Sequence, residues 1–421
     1  MRRRDFLRLT ALAAAGSASR PLRATRRSAK ARVVIAGGGF AGSACALELR
    51  RIDPAIDVVL IDPDARYVTC PLSNEVIVGL RELRSITLSR AGLKRAGVRW
   101  IADRVASVEH EHHRVRLVHG NVIEYDRLVI APGIRFLWNS PQGYDEAAAQ
   151  RMPHAWQAGA QTMLLAARLR EMQDGGVVAI SVPSGLMRCP PGPYERASLI
   201  AHYFKQHKPR SKVLIFDANN RFPRQDQFTD AWQEFYPGMI EWIPLTQDGT
   251  VVRVDGWKNT LYTTHGAHTV AVANIIPAQA PGELALDIGL ASGHGWCPIK
   301  PESFESRLIE NVHVIGDACI ADAMPKSASA AHSQAQQCAC AIAAAFDGRE
   351  PPPAVLDSVC YSVLAPGREL AIHGNFHVMN GEIRQIEAEG VANAGTPTSA
   401  SAQVGEADGW YRSIVADSFG V

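Results

Sequence analysis

No two of the eight cysteines stand as Cys-x-x-Cys, so the chain has neither the attachment motif of a c-type haem nor the ligand spacing of a zinc ribbon. No run reaches the roughly 18 consecutive apolar residues needed to span a bilayer. Neither sign of charge is in excess: 44 Lys and Arg stand against 42 Asp and Glu, a net +2. That balance does not suggest nucleic acid as a partner. His110, His112 and His113 in "VEHEHHRVRL" have no second ligand group beside them and read as the solvated face of a hairpin, with no metal expected.

The opening "MRRRDFLRLTALAAAGSA" joins Arg3 and Arg4, followed by Asp5, Phe6 and Leu7, to a short apolar run and small residues near Ala18. It reads as a secretory signal of the twin-arginine type, with the periplasm as destination. Cleavage there would remove four arginines and one aspartate, taking the net charge from +2 down by three to −1. At 421 residues and 47% hydrophobic, the full chain reads as globular and too long for one core, so two or three domains are expected.

"ARVVIAGGGFAGSACALELRRI" reads as strand, glycine turn and helix. Gly37, Gly39 and Gly42, with Phe40 and Ala41 between them, form G-x-G-x-x-G, which brings a pyrophosphate to a helix N-terminus. The following strand "DVVLID" ends in Asp62, twenty residues after Gly42, where a carboxylate accepts hydrogen bonds from ribose hydroxyls. "YDRLVIAPGIRF", with Ala131, Pro132 and Gly133, and "NVHVIGDACIADAMPKSASAAHSQAQQCACAIAAAF", with Gly316 and Asp317, are similar to the two segments that FAD proteins of the glutathione-reductase type lay against the pyrophosphate and ribityl chain. FAD is therefore expected rather than NAD.

Between those segments the strand–loop–helix–strand pattern returns and ends in Asp217. Its loop, Val182 to Pro191, lacks G-x-G-x-x-G, and its prolines remove backbone donors that a pyrophosphate needs. A nicotinamide coenzyme is not expected there. "GREPPPAVLD" marks a boundary before a β-rich C-terminal part with an Asn380-Gly381 turn, and the last residues read as a polar tail. The fold class is α/β: two Rossmann-like domains of the glutathione-reductase class plus a smaller α+β C-terminal domain. The divisions fall at 1–30 (signal and linker), 31–150 (FAD-binding domain, first part), 151–280 (second Rossmann-like domain), 281–350 (FAD-domain return segment) and 351–421 (a C-terminal domain over the flavin, facing a cytochrome).

Cys189 stands beside Arg188 and a helix N-terminus, where a thiolate is favoured. It and Cys360 meet against the isoalloxazine if the C-terminal part folds back, or else form a purely structural disulfide. Cys45, Cys338 and Cys340 read as inert buried thiols. Cys297 and Cys319 read either as inert or as a structural bridge. Glu195 reads as a proton carrier near the loop or as a surface carboxylate favoured by the helix dipole.

The strings "GGGFAG", "YVTCPLSN", "MRCPPGPYERAS", "GWCPIKPESFES", "VIGDACIADAMPKSASAA", "VCYSVLAPG" and "WYRSIVADSFG" resemble the flavoprotein subunit of flavocytochrome c sulfide dehydrogenase over essentially the whole chain after the signal. The run "KSASAAHSQAQQCACA" is looser than the family's usual one. The resemblance implies FAD bound covalently through a thioether to Cys70, a redox-active pair at Cys189 and Cys360, and Glu195 and Trp410 near the flavin. It implies oxidation of hydrogen sulfide to zero-valent sulfur or polysulfide, and a c-type cytochrome subunit as electron acceptor. A sulfide:quinone oxidoreductase or a non-catalytic flavin-binding protein are the alternatives; the first calls for an apolar or amphipathic C-terminus.

Overall fold

The computed structural model describes residues 30–291, 295–386 and 400–421; residues 1–29, where the signal is expected, lie outside them. Strand β1 (Ala31–Ala36), helix α1 (Phe40–Ile52) and strand β2 (Ile56–Ile61) form the first unit. β1 and β2 are parallel, with Ala31 opposite Ile56 and Ala36 opposite Ile61. They are short apolar runs buried on both faces, as strands of a helix-covered parallel sheet must be. Helix α2 (Ser73–Val78), strand β3 (Arg99–Ile101) and strand β4 (Arg127–Ile130) follow.

The chain then builds a second sheet from β5 (Val177–Val182), helix α3 (Gly192–His207), β6 (Lys212–Asp217), β7 (Ile240–Ile243) and β8 (Val272–Ile275). It returns to the first with β9 (Val312–Val314) and helix α4 (Ala328–Phe346). The two parallel sheets have the orders β9-β4-β1-β2-β3 and β7-β6-β5-β8. An antiparallel sheet of β10 (Val355–Ala365), β11 (Arg368–Met379) and β12 (Glu382–Ile386) comes next. Asn380 and Gly381, both at positive φ, make the tight turn between β11 and β12 that this dipeptide suits.

The expected polar tail is instead a helix, α5 (Ala400–Phe419), packed on α1, α4 and β11. Ala407, Tyr411, Ile414, Val415 and Phe419 recur at helical spacing and are buried. That spacing was hidden by an unremarkable composition. Phe419 stacks on Tyr67 at 5.3 Å and meets the edge of Phe40 at 5.2 Å, which seats the chain's end over the start of α1. His110, His112 and His113 lie at the surface turn of a hairpin, and no cluster of metal-binding side chains occurs among the described residues.

Candidate active site

The glycine turn shows why its residues are glycines. A Cβ on Gly42 would lie 1.9 Å from the Gly37 carbonyl, and one on Gly37 would lie 2.2 Å from that of Ala131. These two glycines let helix and strands close on each other. Gly39, Phe40 and Ala41 face a cavity instead. No acidic side chain stands in the first turn of α1, so its free amides are left for an anion.

Asp62 stands directly after β2, against the glycine turn. Its carboxylate accepts from the Gly38 N–H at 2.6 Å and pairs with Arg90 at 2.9 Å, and it does not line the cavity. Arg90, only 2% exposed, also donates to the carbonyls of Gly38 and Asp64. Asp62 and Arg90 thus brace the turn from behind. Arg90 lies 28 residues downstream of Asp62, and no local pattern marks the pairing.

The second Rossmann-like loop is built around Cys189. This residue adopts a positive φ of 53°, a conformation that L-residues rarely take. Its N–H donates to the Lys326 carbonyl at 2.8 Å, and its own carbonyl accepts from Gly192 N at 2.9 Å. Where a nicotinamide ribose would meet Asp217, that carboxylate is fully buried and already bonded to Tyr194 Oη at 2.6 Å, Trp242 Nε1 at 2.9 Å and Asn219 Nδ2 at 2.8 Å. Phe222 stacks on Tyr194 at 3.7 Å beside them. Protein side chains thus take the acid itself, although a cavity lined by Val182, Met187, Tyr194, Asn219 and Phe222 remains open at this loop.

Glu195 follows in the first turn of α3. It is not a surface carboxylate: Oε2 accepts from Asn74 Nδ2 at 2.7 Å and Oε1 from the Val363 N–H at 3.0 Å. An irregularity in the β10–β11 register between Val363 and Ala365 accompanies that contact. Burial lifts the carboxyl to about 7, against the pull of its two donors. Arg196, the next residue, is wholly buried and donates to Asn74 Oδ1, Asn274 Oδ1 and the carbonyls of His154 and Ala155.

One cavity brings together Cys70, Cys189, Cys360, Glu195, Gly39, Phe40, Ala41, Ala131, Gly133, Gly316, Asp317 and Trp410. Gly37, Gly42, Asp62 and Pro132 are not among the residues that line it. Cys70 precedes α2, its carbonyl held by Ser73 N and Oγ, and neighbouring Thr69 meets Tyr411 Oη of α5 at 2.9 Å. Trp410 comes from α5 and packs against Tyr361 of β10 at 5.7 Å.

Electrostatics correct one expectation. Burial, then Cys360 and Glu195, push the Cys189 thiol well up, and Arg188 offsets this only in part. A thiolate is therefore disfavoured there, and an uncharged form, thiol or disulfide, suits the site. Cys360 is also raised by burial, but the hydroxyls of Ser327 and Ser358 favour its thiolate. All eight cysteines are free thiols in the structure.

Sequence reading missed Asn74, Arg196 and Lys326, and took Arg188 only as a neighbour of Cys189. Arg188 Nη1 stands 3.8 Å from Asp317, and Lys326 Nζ donates to the carbonyls of Asp317 and Cys319, clamping the Gly316–Cys319 turn. Cys297 and Cys319 lie opposite each other across a β-bridge, both buried, with burial holding each thiol at about 12. Cys45 and Cys338 are buried on α1 and α4, and Cys340 is half-buried.

The lining suits FAD: the start of α1 offers free amides, the Asp317 carboxylate stands beside the Gly316 turn, and Cys70, Cys189 and Cys360 share the same cavity.

Residues 162–277 match the family described as sulfide dehydrogenase (flavocytochrome c) flavoprotein chain, central, and 352–419 match flavocytochrome c sulphide dehydrogenase, flavin-binding. Residues 31–154 match pyridine nucleotide-disulphide oxidoreductase. The sulfide dehydrogenase (flavocytochrome c) flavoprotein chain of Chlorobaculum thiosulfatiphilum is 53% identical over 45 residues, 11% of this chain and 94% of that sequence. The mitochondrial sulfide:quinone oxidoreductase of Mus musculus is 23% identical over 72% of this chain and 68% of its own length. The sulfide:quinone oxidoreductase structure from Aquifex aeolicus superposes with a TM-score of 0.69 at 16% identity, covering 93% of both chains, and shares the fold.

Proposed function

Because this chain belongs to the family of the flavocytochrome c sulfide dehydrogenase flavoprotein chain, an oxidoreductase family acting on sulfide with FAD, we propose that it oxidises hydrogen sulfide through a Cys189–Cys360 disulfide. FAD would be tethered by a thioether to Cys70, a separate c-type cytochrome would take the electrons, and the twin-arginine start would send the protein to the periplasm. The observation that carries this reading is the convergence of Cys70, Cys189, Cys360 and Glu195 on one cavity from three separate parts of the chain.

Hydrosulfide attacks the Cys189 sulfur, breaking the disulfide to leave a persulfide on Cys189 and a thiolate on Cys360. This direction puts the charge on the sulfur supported by Ser327 and Ser358. A second hydrosulfide takes the outer sulfur as hydrodisulfide and leaves Cys189 as a thiol. Re-forming the disulfide then releases one proton and two electrons, so two HS⁻ become HSS⁻, H⁺ and 2e⁻. Glu195, beside both cysteines and with a proton affinity near neutrality, is placed to receive that proton. FAD, when bound, supplies a two-electron acceptor able to pass electrons on singly.

Similarity to sulfide:quinone oxidoreductases favours a second reading with a quinone as acceptor. The cytochrome reading is preferred because Tyr411, Ile414, Val415 and Phe419, the apolar side of α5, are spent on the protein's own core. No described helix is long and apolar enough to cross a membrane. Comparing sulfide-dependent reduction of a soluble cytochrome c with that of a quinone by the purified holoprotein tests the choice. Cytochrome turnover is expected, and turnover with quinone alone would overturn it.

A further inference from the structure

We propose that Asn74 is a positioning residue of the sulfide site, which fixes the Glu195 carboxylate toward the cysteine pair and governs its proton exchange. The proposal rests on the role for Glu195 given above. Asn74 is 8% exposed, on the first turn of α2, four residues after Cys70. Both N–H bonds of its amide and one lone pair of its oxygen are spoken for. Oδ1 accepts from Arg196 Nε at 3.0 Å, while Nδ2 donates to Glu195 Oε2 at 2.7 Å and to the Gly192 carbonyl at 3.3 Å.

The amide has only one acceptable orientation. Arg196 is a donor and never an acceptor, so the Asn74 oxygen must face it. A flipped amide would set oxygen against the carboxylate and the Gly192 carbonyl, and NH₂ against the guanidinium. Arg196 is in turn fixed by three other acceptors, so the amide donor toward Glu195 is rigid. The segment carrying the expected flavin tether and the acid beside the cysteines are thereby joined through one side chain.

That donor favours the charged carboxylate against the forces opposing it. Glu195 faces Glu75 of α2, Cys189 of the loop, Cys360 of β10 and Arg196 of its own helix, and burial disfavours its charge. Removing a hydrogen bond to a charged group shifts such an equilibrium by about one to two pH units, here upward.

The test is anaerobic stopped-flow bleaching of the visible flavin band by hydrosulfide, across pH, in full-length holoprotein. Hydrosulfide itself titrates, equally for every variant, so only differences between variants are read. Asn74→Leu should move the Glu195-dependent limb upward by about one to two units. Asn74→Asp, which keeps an acceptor for Arg196 and sets a second carboxylate against Glu195, should move it at least as far and carries the test if Asn74→Leu does not fold. In a Glu195→Gln background neither substitution should change the pH dependence. An unmoved limb in these variants, or the same shift in the Glu195→Gln background, overturns the role of Asn74. A limb that survives Glu195→Gln alone instead removes the role of Glu195.

Discussion

Arg196 is the side chain on which the buried polar network depends. Its removal in Arg196→Met would strand acceptors on Asn74, Asn274, His154 and Ala155. Urea titration should show a loss of about 3–5 kcal/mol, the cost of breaking a buried charged contact set. Glu195 gives the opposite sign from most carboxylates. Its folded value near 7 lies above the ordinary 4.5, so the folded state holds the proton longer, and stability is lost as pH rises through that window. Melting temperatures should show Glu195→Gln gaining on the parent protein between pH 5 and pH 8, and a constant difference would contradict the burial argument. Cys70, Cys189, Cys360 and Glu195 were legible because each sits in a distinctive string. Asn74, Arg90, Arg196 and Lys326 were not, because an amide or cation acquires meaning only from partners that tertiary packing brings to it.

Among the elements, α5 departs most from expectation. The strands ending in Asp62 and Asp217, the glycine turn and the Asn380-Gly381 hairpin follow from apolar runs and turn chemistry that act locally. α5 reads as a tail because its apolar residues are sparse, and its helix is held by what it lands on: Phe40 and Tyr67 under Phe419, Thr69 beside Tyr411, and Arg81 beside Asp408 at 2.6 Å. Phe419→Ala should cost about 3–5 kcal/mol in denaturant melts. The β5–α3 loop makes a second prediction at this scale. With Asp217 bonded to Tyr194, Trp242 and Asn219, NADH should neither bleach the flavin nor shift the melting temperature, and bleaching by NADH would show that the loop opens for a nucleotide.

At the scale of the whole molecule, the chain leaves its first sheet after β4 and returns only at β9, so one wall of the cavity comes from each passage and the cover from β10 and α5. The order of motifs made that path readable, but the brace of Asp62 on the glycine turn and the seat of α5 on α1 arise from packing between distant segments. Acid denaturation tests the tether within this assembly: flavin colour should stay with the polypeptide, and Cys70→Ser should release it. The central claim is that sulfide is oxidised through the Cys189–Cys360 pair, and anaerobic flavin bleaching by hydrosulfide in the parent protein and in Cys360→Ser tests it most directly. The account predicts fast bleaching in the parent and a loss of at least about a hundredfold in the variant with its flavin still bound. Equal rates in the two proteins would contradict it.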